Sequence, residues 1–145
     1  MTQHDDPVGE FLRVVEAGDV ASCTAWADDV VLDATVPNWR LEVSGRDAVL
    51  AEYSRWFADP GTFTHLRRLP VGGSTGAADG GADGGDRTIE VVEYDLAWVE
   101  DGVDHLAHHV QVLEVADGAI VADTVVCGGR WPAPLVAEMD AARNG

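Results

Sequence analysis

The sequence has no lysine. All nine basic residues among its 145 are arginines, set against 26 acidic ones for a formal charge of −17. Without lysine, Schiff-base chemistry on a side chain is excluded, so proton transfer falls to carboxylates and the five histidines. An acidic surface repels phosphates, which argues against nucleic acid and anionic membranes as partners. Long apolar runs are also missing: nothing approaches the roughly 18 residues of a membrane helix. The opening MTQHDDPVGE is acidic where a secretory signal is basic and then apolar, so the expectation is a cytoplasmic protein. Cysteine is scarce, and Cys23 and Cys127 lie far apart, as expected of reduced thiols rather than a disulfide.

What is present fits one domain with a substantial core: 46% of the residues are hydrophobic. One stretch breaks the pattern. Residues 72–86, GGSTGAADGGADGGD, hold seven glycines and no large apolar side chain, and read as a mobile loop extending a hairpin. No lysine or Ser/Thr follows at P-loop spacing, so a phosphate cradle is disfavoured. Ahead of it, Val8, Phe11, Leu12 and Val15 form one stripe of a helix over 7–17, opened by Pro7 and closed at Gly18. Asp19 is placed to cap a short second helix through Trp26. Residues 29–36 alternate as a strand ended by Pro37, and Ser44-Gly45-Arg46-Asp47 opens a helix stopped by Pro60-Gly61. A strand over about 62–70 completes this half.

Past the loop the period changes. Residues 88–99, 104–115 and 119–127 are long β-type runs, joined by Glu100-Asp101-Gly102 and Ala116-Asp117-Gly118, both hairpin chemistry. A last helix is expected over 133–142. Helices early and strands late describe an α+β domain, a curved antiparallel sheet packed on N-terminal helices.

The ADDVVLDATVP strand, the SGRDAVLAEYSRWF helix and the hairpin LEVADGAIVADTVV resemble the nuclear transport factor 2-like superfamily and its SnoaL-like members. The resemblance covers nearly the whole chain. It implies a cone with an internal pocket between sheet and helices, but leaves function open, since polyketide cyclases, isomerases, epoxide hydrolases, dehydratases and noncatalytic domains share the fold. In the cyclases and limonene epoxide hydrolase-like enzymes an essential aspartate sits five residues after the hairpin isoleucine. Here Val125 stands there, and a valine neither takes a proton nor polarises water. Asp123, two residues earlier on the same strand face, would be a carboxylate in an apolar wall, suited to acid or base work. Cys127, two residues later, would share that wall.

His105, His108 and His109 suggest a metal until geometry is applied. On a strand His105 and His109 stand about 13 Å apart, so no metal site is expected. Alternation puts one of His108 and His109 in the pocket. If Glu114 faces outward, Leu113, Gln111 and His109 face in, unless a bulge inverts the choice. Ketosteroid isomerase-like relatives carry a pocket aspartate near this point, where His109 or Gln111 would stand, and a base near the position of Asp33. Alternation favours Asp33 outside, with Val30, Leu32 and Ala34 in the core. His65, alternating with Phe63 and Arg67, is open to either face. Trp39 is placed to close over a flat ligand, and Arg40 beside it and Arg130 in CGGRW are the positive groups to meet an anionic or carbonyl ligand. The expected protein is a homodimer holding a small hydrophobic ligand without metal or organic cofactor. Its activity would be cyclisation, isomerisation, dehydration or hydrolysis, with His109 and Asp123 moving protons. The alternative is a noncatalytic ligand-binding domain.

Overall fold

The computed structural model describes residues 6–71 and 87–145. The glycine-rich loop expected over 72–86 lies outside the described residues. Helix α1, Pro7–Ala17, begins where Asp6 accepts a hydrogen bond from the Gly9 amide at 3.0 Å. It ends at Gly18, whose left-handed backbone (φ 67°) returns amides to Val14 and Val15. Its stripe of Val8, Phe11, Leu12 and Val15 is buried as the spacing predicts.

The second helix expected after Asp19 is only a single 3-10 turn, Val20–Ser22. Two contacts pull the following residues extended. Glu10 takes both the amide and the hydroxyl of Thr24, at 2.7 and 2.9 Å, and the Ala25 carbonyl pairs with the Ile120 amide at 2.7 Å. Strand β1 therefore starts early, at Trp26, and runs to Val36. Nor does Pro37 lead into a simple connection: with Asn38 (φ 64°) it makes a two-residue turn into a further strand, β2, Trp39–Ser44.

Helix α2 (Arg46–Trp56) and strands β3 (Gly61–Pro70), β4 (Arg87–Glu100), β5 (Val103–Ala116) and β6 (Ala119–Cys127) follow as the periodicity predicts. Aspartate and glycine at positive φ form both late hairpin turns. A two-residue strand β7, Trp131–Pro132, pairs with β5 before helix α3, Ala133–Asn144. The sheet order is β2-β1-β6-β5-β4-β3. It is mixed rather than wholly antiparallel, because β1 and β6 run parallel after the long excursion through α2 and β3 to β5.

Helices α1 and α2 cover the inner face. Phe11, Trp26, Tyr53 and Phe57 meet there with ring centroids 5.2–6.3 Å apart, a packed aromatic cluster between helices and sheet. Helix α3 lies on the other side, where Val136 and Met139 share a groove with His108, and none of its residues is buried.

Candidate functional site

Three adjacent strands and α2 converge on one place. Strand β5 turns Ala107, His109, Gln111 and Leu113 inward, and β4 turns Val92, Tyr94, Leu96 and Trp98 the same way. On β6 the inward residues are Ile120, Asp123, Val125 and Cys127, a spacing of three and then two. Val121 is the extra residue of a β-bulge, since Glu114 pairs with Ala122 while Val115 pairs with Ile120. The bulge sets Cys127 opposite His109, Val125 opposite Gln111, and Asp123 opposite Leu113.

Between this sheet region and the end of α2 lies a cavity of about 390 Å³. Trp56, Phe57, Leu96, Trp98 and Val36 give it apolar walls, while His109, Cys127, Arg130 and the mutually paired Glu52 and Arg55 are the polar groups that line it. Arg130 is fixed at the rim by stacking on Trp98 (4.7 Å), donation to the Trp56 carbonyl (3.1 Å) and pairing with Glu100. The His109 ring is held edge-on by Trp56, Phe57 and Tyr94, at 5.9, 5.7 and 5.1 Å.

Behind His109 runs a line of buried hydrogen bonds. Asp123, 1% exposed, accepts from the Tyr53 hydroxyl at 2.6 Å and from Gln111 Nε2 at 3.0 and 3.1 Å. The carboxylate selects the amide orientation of Gln111, which leaves Gln111 Oε1 to accept from Tyr94 at 2.6 Å. With its only proton spent there, Tyr94 accepts from His109 Nδ1 at 2.9 Å. Nδ1 therefore carries the imidazole proton, and Nε2 presents a lone pair 3.2 Å from Cys127 Sγ.

The charges follow from burial. Desolvation pushes Asp123 up to about 6, against the pull of Tyr53 and Gln111. His109 is pushed down to about 4, chiefly by burial and further by the nearby charges of His108 and Arg130, so its imidazole is neutral at pH 7. Burial raises the Cys127 thiol, partly offset by the Gly129 amide and Arg130. The two tyrosines lie well above their usual range for the same reason, with Asp123 adding to it.

Of the residues expected at the site, His109 and Cys127 line the cavity; Asp123, Gln111 and Val125 lie behind or beside it, fully buried. Among the described residues no hydrogen bond joins Asp123 to His109; Gln111 and Tyr94 link them. Between the two inward candidates, His109 is the one inside, and His108 on the outer face binds Asp95 through Nδ1 at 2.7 Å. His65 is also outside, 3.4 Å from Glu93. Asp33 faces away from the core and holds Arg40 through two bonds of 3.0 and 2.7 Å. The guanidinium keeps the Asp33 carboxyl below the usual carboxylate range. Trp39 is 70% exposed on the β1–β2 hairpin and does not line the cavity. Among the described residues no three His, Cys, Asp or Glu side chains are grouped to hold a metal ion, and no helix is long and apolar enough to cross a membrane. Tyr53, Tyr94 and Phe57 were not among the site residues expected from the sequence. Counting back from the Asp101-Gly102 turn places Tyr94 opposite His109, a signal the sequence did carry.

No protein-family model and no curated relative matches the sequence. Solved structures do match. A nuclear transport factor 2-like protein of unknown function from Mesorhizobium loti superposes with a TM-score of 0.56 at 20% identity, covering 88% of this chain and 92% of that one. Another of that description, from Burkholderia xenovorans, gives 0.53 at 18% identity over 94% and 91%. An LEH-like epoxide hydrolase from M. tuberculosis gives 0.53 at 15% identity over 86% and 81%. The chain has the nuclear transport factor 2-like fold.

Proposed function

We propose that the chain is an enzyme that performs cofactor-free acid/base chemistry on a small hydrophobic molecule held in the cavity between β4 to β6 and α2. The observation that carries this is His109: neutral, 3% exposed, fixed on three sides by rings, with Nε2 turned toward Cys127 at an apolar cavity of about 390 Å³. The cavity suits a substrate of modest size without strong charge. His109 takes or delivers the proton. Asp123, Gln111 and Tyr94 are positioning residues that set which nitrogen is free. Cyclisation, isomerisation, dehydration and hydrolysis all fit this arrangement, and the fold houses a hydrolase in the M. tuberculosis protein.

Native mass spectrometry of a retained small molecule identifies a substrate or product, and turnover is then measured in His109→Gln. A positioned base contributes about 10²- to 10⁴-fold, so the substitution is expected to lower kcat by that amount. Unchanged turnover overturns the reading. A second reading rests on Val125: an apolar side chain stands where SnoaL-like cyclases carry an aspartate, as in a domain that binds without reacting. That reading predicts a ligand bound equally by both proteins and released unchanged.

A further inference from the structure

We propose that Cys127 and His109 form a thiol–imidazole pair that adds covalently to a hydrophobic α,β-unsaturated carbonyl compound in the cavity. The inference shares the cavity with the acid/base reading but does not require turnover. Four features converge on Sγ. The free Nε2 of His109 lies 3.2 Å away, its lone pair aimed by the line from Asp123. The Gly129 amide approaches to 3.4 Å, donating to sulfur as charge develops. Arg130 lines the same cavity and offers a cation for an enolate oxygen. Trp56, Phe57, Leu96 and Trp98 supply an apolar bed for a conjugated carbon skeleton.

The step balances without oxidant or reductant. His109 Nε2 takes the Sγ proton as sulfur bonds to the β-carbon of the ligand. The alkene π pair moves to the α-carbon and carbonyl oxygen, giving an enolate, and the imidazolium returns the proton to the α-carbon. The product is a saturated thioether, and the reverse steps release the ligand. Burial keeps the thiol protonated and the imidazole neutral at rest, so the base is free when a ligand arrives. The other thiol, Cys23, is an internal control: it is 3% exposed, away from the cavity, and burial pushes it up to about 11.

The test is peptide-resolved mass spectrometry of the whole chain treated with benzylideneacetone, with acrylamide as a polar comparison. Benzylideneacetone is expected to label Cys127 and spare Cys23, with a rate nearly flat from pH 6 to 8 because the base stays deprotonated. In His109→Gln the rate at pH 7 drops about 10²-fold and rises about tenfold per pH unit, as for an unassisted thiol. Tyr94→Phe, which leaves His109 in place, slows labelling in the same direction. The proposal is overturned if Cys127 does not label, if acrylamide labels it as selectively, or if His109→Gln labels with the same rate and pH profile. Turnover that persists in Cys127→Ser while Cys127 fails to label would sink this inference and leave the acid/base reading standing. Labelling of Cys127 alongside unchanged turnover in His109→Gln would do the opposite.

Discussion

Two buried ionisable groups with opposite pKa displacements give stability a pH dependence that single substitutions expose. His109 ionises near 6.5 in the unfolded chain and near 4 in the folded one. Between those values the unfolded chain holds a proton that the native one does not, so this group makes stability rise with pH. The gain is about 3 kcal/mol from pH 4 to 6.5 and is complete above that. Asp123 works the other way. Its folded value near 6 lies above the ordinary 3.8, so the native chain holds the extra proton and stability falls by about 3 kcal/mol as pH rises from 4 to 6. In the intact protein the two slopes largely cancel. Urea unfolding of the wild type, His109→Gln and Asp123→Asn, each from pH 4 to 7, separates them, because the many surface carboxylates contribute equally to every chain. Wild type minus His109→Gln is expected to climb by about 3 kcal/mol between pH 4 and 6.5 and then level off. Wild type minus Asp123→Asn is expected to fall by about as much between pH 4 and 6. A His109 difference that stays flat within about 0.5 kcal/mol over that range would refute the claim that the imidazole is buried neutral.

Tyr94→Phe removes the acceptor of the His109 Nδ1 proton and leaves Gln111 Oε1 buried without a donor; it should cost about 1–3 kcal/mol, and nitrogen NMR of His109 should show the Nε2–H tautomer gaining population. A wholly Nδ1–H imidazole in that variant would contradict the assignment. Gly18→Ala forces a left-handed alanine whose Cβ would sit 2.6 Å from Pro60 N, and a loss of at least about 2 kcal/mol in denaturant unfolding is expected; a neutral result would show that the α1 terminus relaxes freely. Deleting Val121 removes the bulge and leaves Ile120, Asp123, Val125 and Cys127 in plain alternation, still facing inward opposite the same β5 residues. The variant should keep cooperative unfolding and its near-ultraviolet spectrum, and loss of either would show that the extra residue is needed where β6 also pairs with β1.

That bulge marks where the sequence stopped being readable. Aspartate and glycine in the β4–β5 turn define a two-residue loop, and from it the pairing of Tyr94 with His109 follows by counting, since β5 is regular up to Glu114. Alternation therefore puts His109 inside and His108 outside once Glu114 is taken as outward, and puts Asp33 on the face opposite Val30, Leu32 and Ala34, where it meets Arg40. The β5–β6 hairpin obeys the same turn rule at Ala116 and Ala119, yet strict counting from it sets His109 opposite Val126. It also turns Asp123 out once Ile120 is taken as core. No residue type at Val121 announces an inserted position; the bulge follows from tertiary demands, because β6 must pair with β5 on one side and with the parallel β1 on the other, where the register also slips between Trp26 and Val31. The β2 strand was hidden for a related reason. Pro37 does end β1, but Asn38 accepts a left-handed backbone, and only β1 supplies the partner that makes Trp39–Ser44 extended.

The bulge also explains how a carboxylate can matter to the cavity without reaching it. With Val125 packed against Gln111, the nearest acid on that face is Asp123, one pleat deeper and sealed from the cavity. A buried carboxylate so placed is costly unless its lone pairs are met, and Tyr53 and Gln111 meet them. Meeting them fixes the Gln111 amide, which fixes the Tyr94 proton, which fixes the imidazole tautomer. The acid thus acts on His109 by orienting hydrogens rather than by exchanging one. Its influence is greatest while it is ionised, above about pH 6, the range in which His109 stays neutral with its lone pair toward Cys127.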